Sequence, residues 1–350
     1  MKKELVLDKG IDELKQILKK NEFKEFRAKQ IFVGTHQGKG ITEITNIPKK
    51  LKQFLLDRFY DKPLYVEKIQ NSEDKTIKFL FKLNDGNFVE SVLMDYKFGK
   101  TLCVSSQVGC RMRCKFCASG VNGLVRNLTS GEILAQVAVI NRYLQGNLKD
   151  EREISNVVLM GIGEPLDNFD NVTKFIDLIS DSNGINISQR NITISTSGLV
   201  DKIKLLADLN YSVTLTLSLH SAKDSVRQDI MPIAKKHTID QLIQACYYYF
   251  ENTNRRVTIE YILIKDITST MSQAKELVRI LKGYPFHVNL INLNKTLDNG
   301  LEPETLEKVE KFENFLIKNG LSVSLRRKLG SDIDAACGQL RNKNDRKGKI

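Results

Sequence analysis

The sequence contains no tryptophan, no apolar run of membrane-spanning length, no internal repeat and no low-complexity stretch apart from a basic tail. A transmembrane helix needs about 20 mostly apolar residues in succession. The opening MKKELVLDKGIDELKQ places acidic residues where a secretory signal would carry its apolar region. A cytoplasmic chain without membrane contact is the expectation. Cysteine is scarce, at 6 in 350 residues. In a reducing compartment such residues are metal ligands, catalytic groups or core side chains before they are a disulfide framework, so any disulfide here should be transient. Acidic residues are outnumbered, 42 against 54 Lys plus Arg, for a formal net charge of +12. That excess says nothing about fold, but it favours a polyanionic partner such as nucleic acid over mere solvation, because basic side chains displace counterions from phosphates. It concentrates in Arg326-Arg327-Lys328 and in the tail RNKNDRKGK, Arg341 to Lys349.

Residues 1–60 read as short helices. Ile11, Leu14, Ile17 and Leu18 share a face at helical spacing, and Leu51, Phe54, Leu55 and Phe59 repeat the pattern after Pro48. Within EFRAKQIF, Arg27 and Lys29 could face RNA, although an ordinary solvated helix face accounts for them more readily. Next, TIKFLFKLN and NFVESVLMD read as two strands joined at Asn84-Asp85-Gly86, a hairpin turn signal.

From residue 101 the pattern changes to strand-like apolar runs alternating with helical stretches: TLCVSS, SNVVLMG, NITISTS, SVTLTLSL, RVTIEYILI, FHVNLINL and LSVSLRR. Such alternation implies βα units on a parallel sheet. Thr129 with Glu132, and Thr238 with Gln241, have the capping-box form that starts a helix. Six or seven units are too few for a closed eight-fold barrel. The expected fold is therefore α/β, a partial (β/α)6-type barrel over 96–330, preceded by a small N-terminal helical accessory domain (1–60) and a connecting β-hairpin (61–95) carrying Glu90, and followed by a cysteine-bearing loop and the basic tail (331–350).

Polar motifs fall just after these strands: Cys110 to Cys117, Gly161-Ile162-Gly163-Glu164-Pro165, Ser195-Thr196-Ser197-Gly198, Ser218-Leu219-His220, and Asn294. In a barrel all would open on the carboxyl-terminal face, where active sites are built. Cys110, Cys114 and Cys117 form a C-x3-C-x2-C triplet with Phe116 before the last cysteine. A structural zinc asks for four ligands, usually as two C-x2-C-like pairs, and the fourth here would have to be Cys103 or a distant group. A four-iron cluster held by three thiolates instead leaves one iron open to another ligand. Taken alone, Cys103 in a strand and Cys337 among alanines read as small buried hydrophobes, Glu90 as a solvated strand residue, His220 as structural and Cys246 as core.

The triplet with its aromatic is similar to the signature of the radical S-adenosylmethionine superfamily. CVSSQVGCRMRCKFCASG, LMGIGEPLDN, ISTSGLV, LSLHSAKDSVRQDIMPI, VTIEYILI and SDIDAACGQL, in this order, resemble the RlmN/Cfr family of RNA adenine methyltransferases, and FRAKQIF and NIPKKLK extend the resemblance over nearly all the chain. It implies one [4Fe-4S] cluster on Cys110, Cys114 and Cys117, and S-adenosylmethionine held by Gly163, Glu164, Ser195, Ser218, Leu219, His220 and Asn294. It further implies that one S-adenosylmethionine methylates Cys337 and that a second is cleaved to a radical that activates this methyl group for addition to adenine. Glu90 would then accept the base's proton, and Cys103 would resolve the adduct through a transient disulfide with Cys337. The implied substrates are 23S rRNA and transfer RNA, the electron donor a flavodoxin or ferredoxin, and the chain a monomer.

Pro165 after Glu164, where the C8-methylating branch usually has alanine, points to methylation at C2. Two positions depart from the family pattern. Asn294 lacks the usual flanking prolines and aromatic, and no tryptophan stands near Val33. Methylation at C8, and a non-catalytic zinc-stabilised RNA-binding protein, are the alternatives.

Overall fold

A computed structural model of the chain describes residues 3–295 and 300–340; the basic tail therefore lies outside the described residues. Three helices open the fold, α1 (Ile11–Lys20), α2 (Arg27–His36) and α3 (Lys49–Arg58). Their apolar faces are those the periodicity marks: Leu14, Leu18, Leu51 and Leu55 are buried, with Ile11, Ile17 and Phe54 packed at the margin. In this tryptophan-free bundle an aromatic contact is made by Phe32 and His36, with ring centroids 3.9 Å apart.

The hairpin forms as expected, β2 (Ile77–Lys82) pairing antiparallel with β3 (Phe88–Tyr96). An additional strand, β1 (Tyr65–Asn71), pairs with β2. Almost every residue of β1 is exposed or half-buried, so YVEKIQN carries no apolar alternation to announce it.

All seven apolar runs become strands of one ten-stranded sheet: β4 (Gly99–Cys103), β7 (Ile154–Leu159), β8 (Ile192–Thr196), β9 (Thr214–Ser218), β10 (Thr258–Leu263), β11 (His287–Asn292) and β12 (Ser322–Leu325). The order is β1-β2-β3-β4-β7-β8-β9-β10-β11-β12, parallel from β4 onward. A short antiparallel ribbon of β5 (Gln107–Gly109) and β6 (Leu124–Asn127) stands apart from it. The intervening helices are α4 (Ser130–Tyr143), α5 (Phe169–Ser180), α6 (Val200–Asp208), α7 (Asp224–Ile230), α8 (Ile239–Thr253), α9 (Met271–Leu281) and α10 (Leu306–Lys318). Both expected capping boxes are present: Thr129 and Glu132 exchange hydrogen bonds at the start of α4, as do Thr238 and Gln241 at α8.

Burial explains the run-like strand sequences. A parallel sheet covered on both faces needs apolar side chains throughout, and Ile192, Ile194, Leu215, Leu217, Ile259 and Leu290 are all fully enclosed. Cys246 lies inside α8 with no exposure, as a core residue. Among the described residues no helix is long and apolar enough to cross a membrane. The polar strand ends that this core excludes gather at the carboxyl edge of the sheet.

Candidate active site

The cysteine triplet occupies the loop bracketed by the β5–β6 ribbon. Cys110 N donates to Gly123 O at 2.9 Å, Cys117 N to Cys114 O at 3.1 Å, and Lys115 N to Ile230 O at 2.9 Å, which pins the loop at both ends and in the middle. Gly109, at φ 77, lies against the Gly123 carbonyl, where any Cβ would collide. All three thiols line one cavity of about 140 Å³ together with Phe116, Gly163, Glu164, Ser195, Ser218 and His220. Burial pushes the Cys110 thiol up to about 12 and Cys114 well above its ordinary value, so they ionise only when a cation joins them. Among the described residues no three His, Cys, Asp or Glu side chains are grouped to hold a single metal ion. A cluster asks for a different arrangement, one thiolate for each of three irons, and three thiols spread around one cavity wall meet it.

The same cavity carries polar groups suited to a zwitterionic cofactor. Glu164 is buried, its Oε2 accepting from Ser197 N at 2.7 Å and its Oε1 from Leu166 N at 3.1 Å. Burial raises its carboxyl above the ordinary range against the pull of these donors. Its own N–H donates to Gln107 Oε1 at 2.9 Å, and Gly163 (φ 112) permits the approach, since a Cβ there would fall 2.6 Å from Gln107 Cβ. Ser195 and Ser218 hydroxyls stand 3.4 Å apart at neighbouring strand ends. His220 is packed edge-on against Phe116, ring centroids 4.9 Å apart, and burial lowers its imidazole to about 3, so it is neutral. Among the described residues, two buried polar atoms on the lining seek partners: His220 Nδ1 has none, and Ser197 Oγ has only the Glu164 carboxylate beside it. Buried polar atoms are normally satisfied, so these fit a site completed by a ligand.

A second cavity of about 530 Å³ adjoins the first, and Cys337 lines both. Here Cys337 meets Cys103 from β4, each sulfur free. Burial, reinforced by the neighbouring Cys337 sulfur, pushes the Cys103 thiol up to about 12; Cys337 is exposed at the cavity wall, and the desolvation it still meets there raises its thiol to about 11 against the pull of Arg326. The loop holding Cys337 is tied to the cluster loop by Ala118 N to Gly338 O at 2.8 Å and Ser119 Oγ to Leu340 O at 2.8 Å. Its other end is held by the β1–β2 turn: Gly330 N donates to Asp74 Oδ2 at 2.7 Å, and Ser72 Oγ to Asp332 Oδ1 at 2.5 Å. The turn of the strand that carried no sequence signal thus helps to place Cys337.

Other expected residues sit differently. Leu219 contributes backbone, its N–H donating to Glu260 O at 3.0 Å, and its side chain is wholly in the core. Asn294 lines the larger cavity and donates to Cys337 O at 3.2 Å. Glu90 is buried 3.6 Å from Lys78 Nζ and lines neither cavity; Lys78 also donates to Asp334 O at 3.2 Å, beneath the cysteine loop.

Three residues were not anticipated. Arg227 is buried, its Nε donating to Leu219 O at 2.9 Å and its Nη2 to Ser197 O at 2.6 Å, so one guanidinium clamps two of the site's strand ends; burial lowers it to about 10. Glu260, buried in β10, accepts from Arg326 Nη1 at 2.9 Å. Arg326 lies beside the Cys103 and Cys337 sulfurs and lowers both thiols against the effect of burial. A carboxylate in the otherwise apolar run TIEYIL was the available signal for Glu260. No periodicity distinguishes Arg227 or Arg326 from surface arginines.

A parallel α/β sheet with a cysteine-triplet loop at its carboxyl edge defines the class of a radical S-adenosylmethionine enzyme, and the family model described as Radical SAM superfamily matches residues 104–278. The chain is 50% identical over 341 residues, 97% of its length and 98% of the relative's, to the probable dual-specificity RNA methyltransferase RlmN of Clostridium botulinum. It is 48% identical to the corresponding protein of Clostridium novyi, covering 96% of this chain and 97% of that one. A radical SAM methyltransferase from Sphaerobacter thermophilus has the same architecture, with a TM-score of 0.92 at 38% identity, over 97% of this chain and 99% of that one. The chain belongs to the radical SAM superfamily and, within it, to the RlmN family, which implies a [4Fe-4S] cluster and S-adenosylmethionine as its cofactors.

Proposed function

We propose that this RlmN-type radical SAM RNA methyltransferase methylates C2 of one adenine in 23S rRNA and of an adenine beside the anticodon in some transfer RNAs. The observation that carries the reading is the position of Cys337, shared by the cavity that holds the cysteine triplet and by the basic-edged cavity that holds Cys103. A thiol so placed can receive a methyl group on one side and deliver it on the other. Adenine C2 lies between two ring nitrogens, is electron-poor and has no lone pair, so it cannot attack a sulfonium methyl group directly. Cluster and S-adenosylmethionine, when bound, supply the radical able to take hydrogen from a methyl group.

Cys110, Cys114 and Cys117 hold the cluster. Glu164 would accept from the cofactor's ammonium, and Ser195, Ser197, Ser218 and the unpartnered His220 Nδ1 would meet its polar groups. Cys337 would carry a methyl group taken from one S-adenosylmethionine; one hydrogen of that methyl would leave on the 5'-deoxyadenosyl group of a second, and the carbon left on the sulfur would bond to C2. Glu90 would take the C2 proton, and the unpaired electron left on the base would pass to the one-electron acceptor that the cluster becomes once it has given an electron to cleave the second S-adenosylmethionine, which leaves a closed-shell adduct. Because Lys78 holds Glu90 under Asp334, this role requires the cysteine loop to shift once RNA is attached. The Cys103 thiolate then attacks the Cys337 sulfur; the bond from that sulfur to the base's new carbon breaks, a disulfide forms, and the released carbon takes up a proton. Arg326, beside both sulfurs, favours the thiolate this step uses.

The helical region 1–60 and hairpin 61–95 form, on this reading, an RNA-contacting accessory unit beside the barrel. The chain works as a monomer in the cytoplasm, with flavodoxin or ferredoxin as reductant. The test is Cys103→Ala, which should purify with RNA covalently attached through Cys337, detectable as a nucleotide mass on the Cys337 peptide after nuclease digestion. An active wild type alongside a variant free of RNA would remove Cys103 from this role.

A further inference from the structure

The turn between β3 and β4 carries a pair of aromatic rings that the chemistry above does not use. Tyr96 and Phe98 are stacked, ring centroids 5.0 Å apart and planes 7° from parallel. Tyr96 lines the larger cavity, the one containing Cys103 and Cys337, whereas Phe98 is 73% exposed. The turn is short, with Tyr96 and Gly99 directly paired across it, so Tyr96 stands at the end of β3 and Phe98 in the two-residue turn that this pair closes. Phe98 is the most exposed of the described large apolar side chains, with one face on Tyr96 and the other open to water, so covering that open face with a planar ligand would be favourable.

The surroundings point to what covers it. Lys97 lies within the turn next to Phe98, and the cavity that Tyr96 lines carries Arg327 and Lys328 together with Arg326, paired with Glu260, Lys295, paired with Glu302, and one carboxylate, Glu304; Asp95 is the acidic side chain next along β3. An apolar ring face beside a cavity whose lining is on balance cationic matches a nucleotide, which offers a π-surface and a phosphate together. A protein partner would ask for a broader apolar patch than two rings provide. Chemistry at C2 also requires the target adenine to leave its stack and enter the cavity, which unstacks its neighbour and costs a few kcal/mol.

Resting on the RNA methyltransferase reading, we propose that Phe98, backed by Tyr96, is a stacking platform for an unpaired base flanking the target adenine. The platform makes the extruded state cheaper and sets which nucleotide stands at the cavity mouth. It reads a base face rather than base edges, so it tolerates different sequences.

The experiment uses the full chain with its cluster reconstituted, and an RNA hairpin whose loop holds the target adenine beside a 2-aminopurine. Phe98→Ala should raise the Kd for this hairpin about tenfold, the value expected from losing one base–aromatic stack. The slope of log Kd against log salt should stay that of the wild type, because no phosphate contact is removed. The 2-aminopurine fluorescence, quenched on binding to wild type, should stay bright with Phe98→Ala, and Phe98→Trp should restore both affinity and quenching. A Kd within about twofold of wild type with quenching retained would overturn the platform while leaving the methyltransferase reading intact. Unchanged RNA binding with a loss of reductant-driven turnover would assign the rings to a protein partner instead. A wild type that binds this hairpin no better than a loop without adenine would overturn both.

Discussion

Replacing Glu164 by glutamine tests the cofactor cradle most sharply, because the shape survives and only charge and acceptor count change. Each carboxylate oxygen accepts one backbone N–H, from Ser197 at 2.7 Å and from Leu166 at 3.1 Å. A glutamine side chain has one acceptor oxygen, so its NH2 group must face one of these donors. Leaving a buried N–H unpaired costs about 1–3 kcal/mol. The loss is offset in part because the variant no longer buries a carboxylate whose charged form burial disfavours. The larger effect falls on the cofactor, whose ammonium loses a charge-assisted hydrogen bond worth about 1.5–3 kcal/mol, or roughly 10- to 150-fold in Kd. Calorimetric titration of S-adenosylmethionine into cluster-loaded Glu164→Gln measures it. An affinity within about threefold of wild type would show that the carboxylate does not meet the cofactor. A pH signature accompanies this. Glu164 is raised on folding, so the folded chain binds its proton more tightly, and its contribution is full below the ordinary carboxylate range and lost as pH rises through the folded value. In cofactor-free protein, wild type should therefore lose stability relative to Glu164→Gln over that interval. A flat difference would contradict the assigned direction.

Two further outcomes concern the clamp and the thiols. Arg227→Met orphans the Ser197 and Leu219 carbonyls and should cost about 2–4 kcal/mol in denaturant unfolding of metal-free protein, net of the charge no longer buried; Arg227→Lys should not rescue it, since one amine cannot span both acceptors, and a loss under about 1 kcal/mol would refute the clamp. In metal-free protein, alkylation of Cys337 by iodoacetamide should rise about tenfold per pH unit between about pH 8 and pH 10, as expected for a thiol near 11, while buried Cys103 stays unmodified. A rate at Cys337 that levels off by about pH 10 would place its thiol in the ordinary range.

The parallel sheet was legible in the sequence because a doubly covered sheet demands continuous apolar runs, and all seven of them became strands. The strand-end motifs were likewise legible as one group, since the triplet with Phe116, Gly163, Glu164, Ser195, Ser218 and His220 lines a single cavity. Less visible were contacts between segments remote in the chain. Strand β1 has no buried face of its own, yet its turn anchors the Cys337 loop. Glu90 stands two residues from Val92, which pairs with Cys103, but only the three-dimensional arrangement shows it held by Lys78 beneath Asp334. Arg326 and Glu260 meet across the sheet from β12 to β10, a pairing that local periodicity does not encode.

The central claim, radical methylation at C2 of a defined adenine, is tested most directly by mass analysis of nucleosides digested from ribosomal and transfer RNA of cells with and without the gene. The account predicts 2-methyladenosine in both RNA classes when the gene is present and its loss when the gene is removed. The appearance of 8-methyladenosine instead, or modification indifferent to the gene, would contradict it.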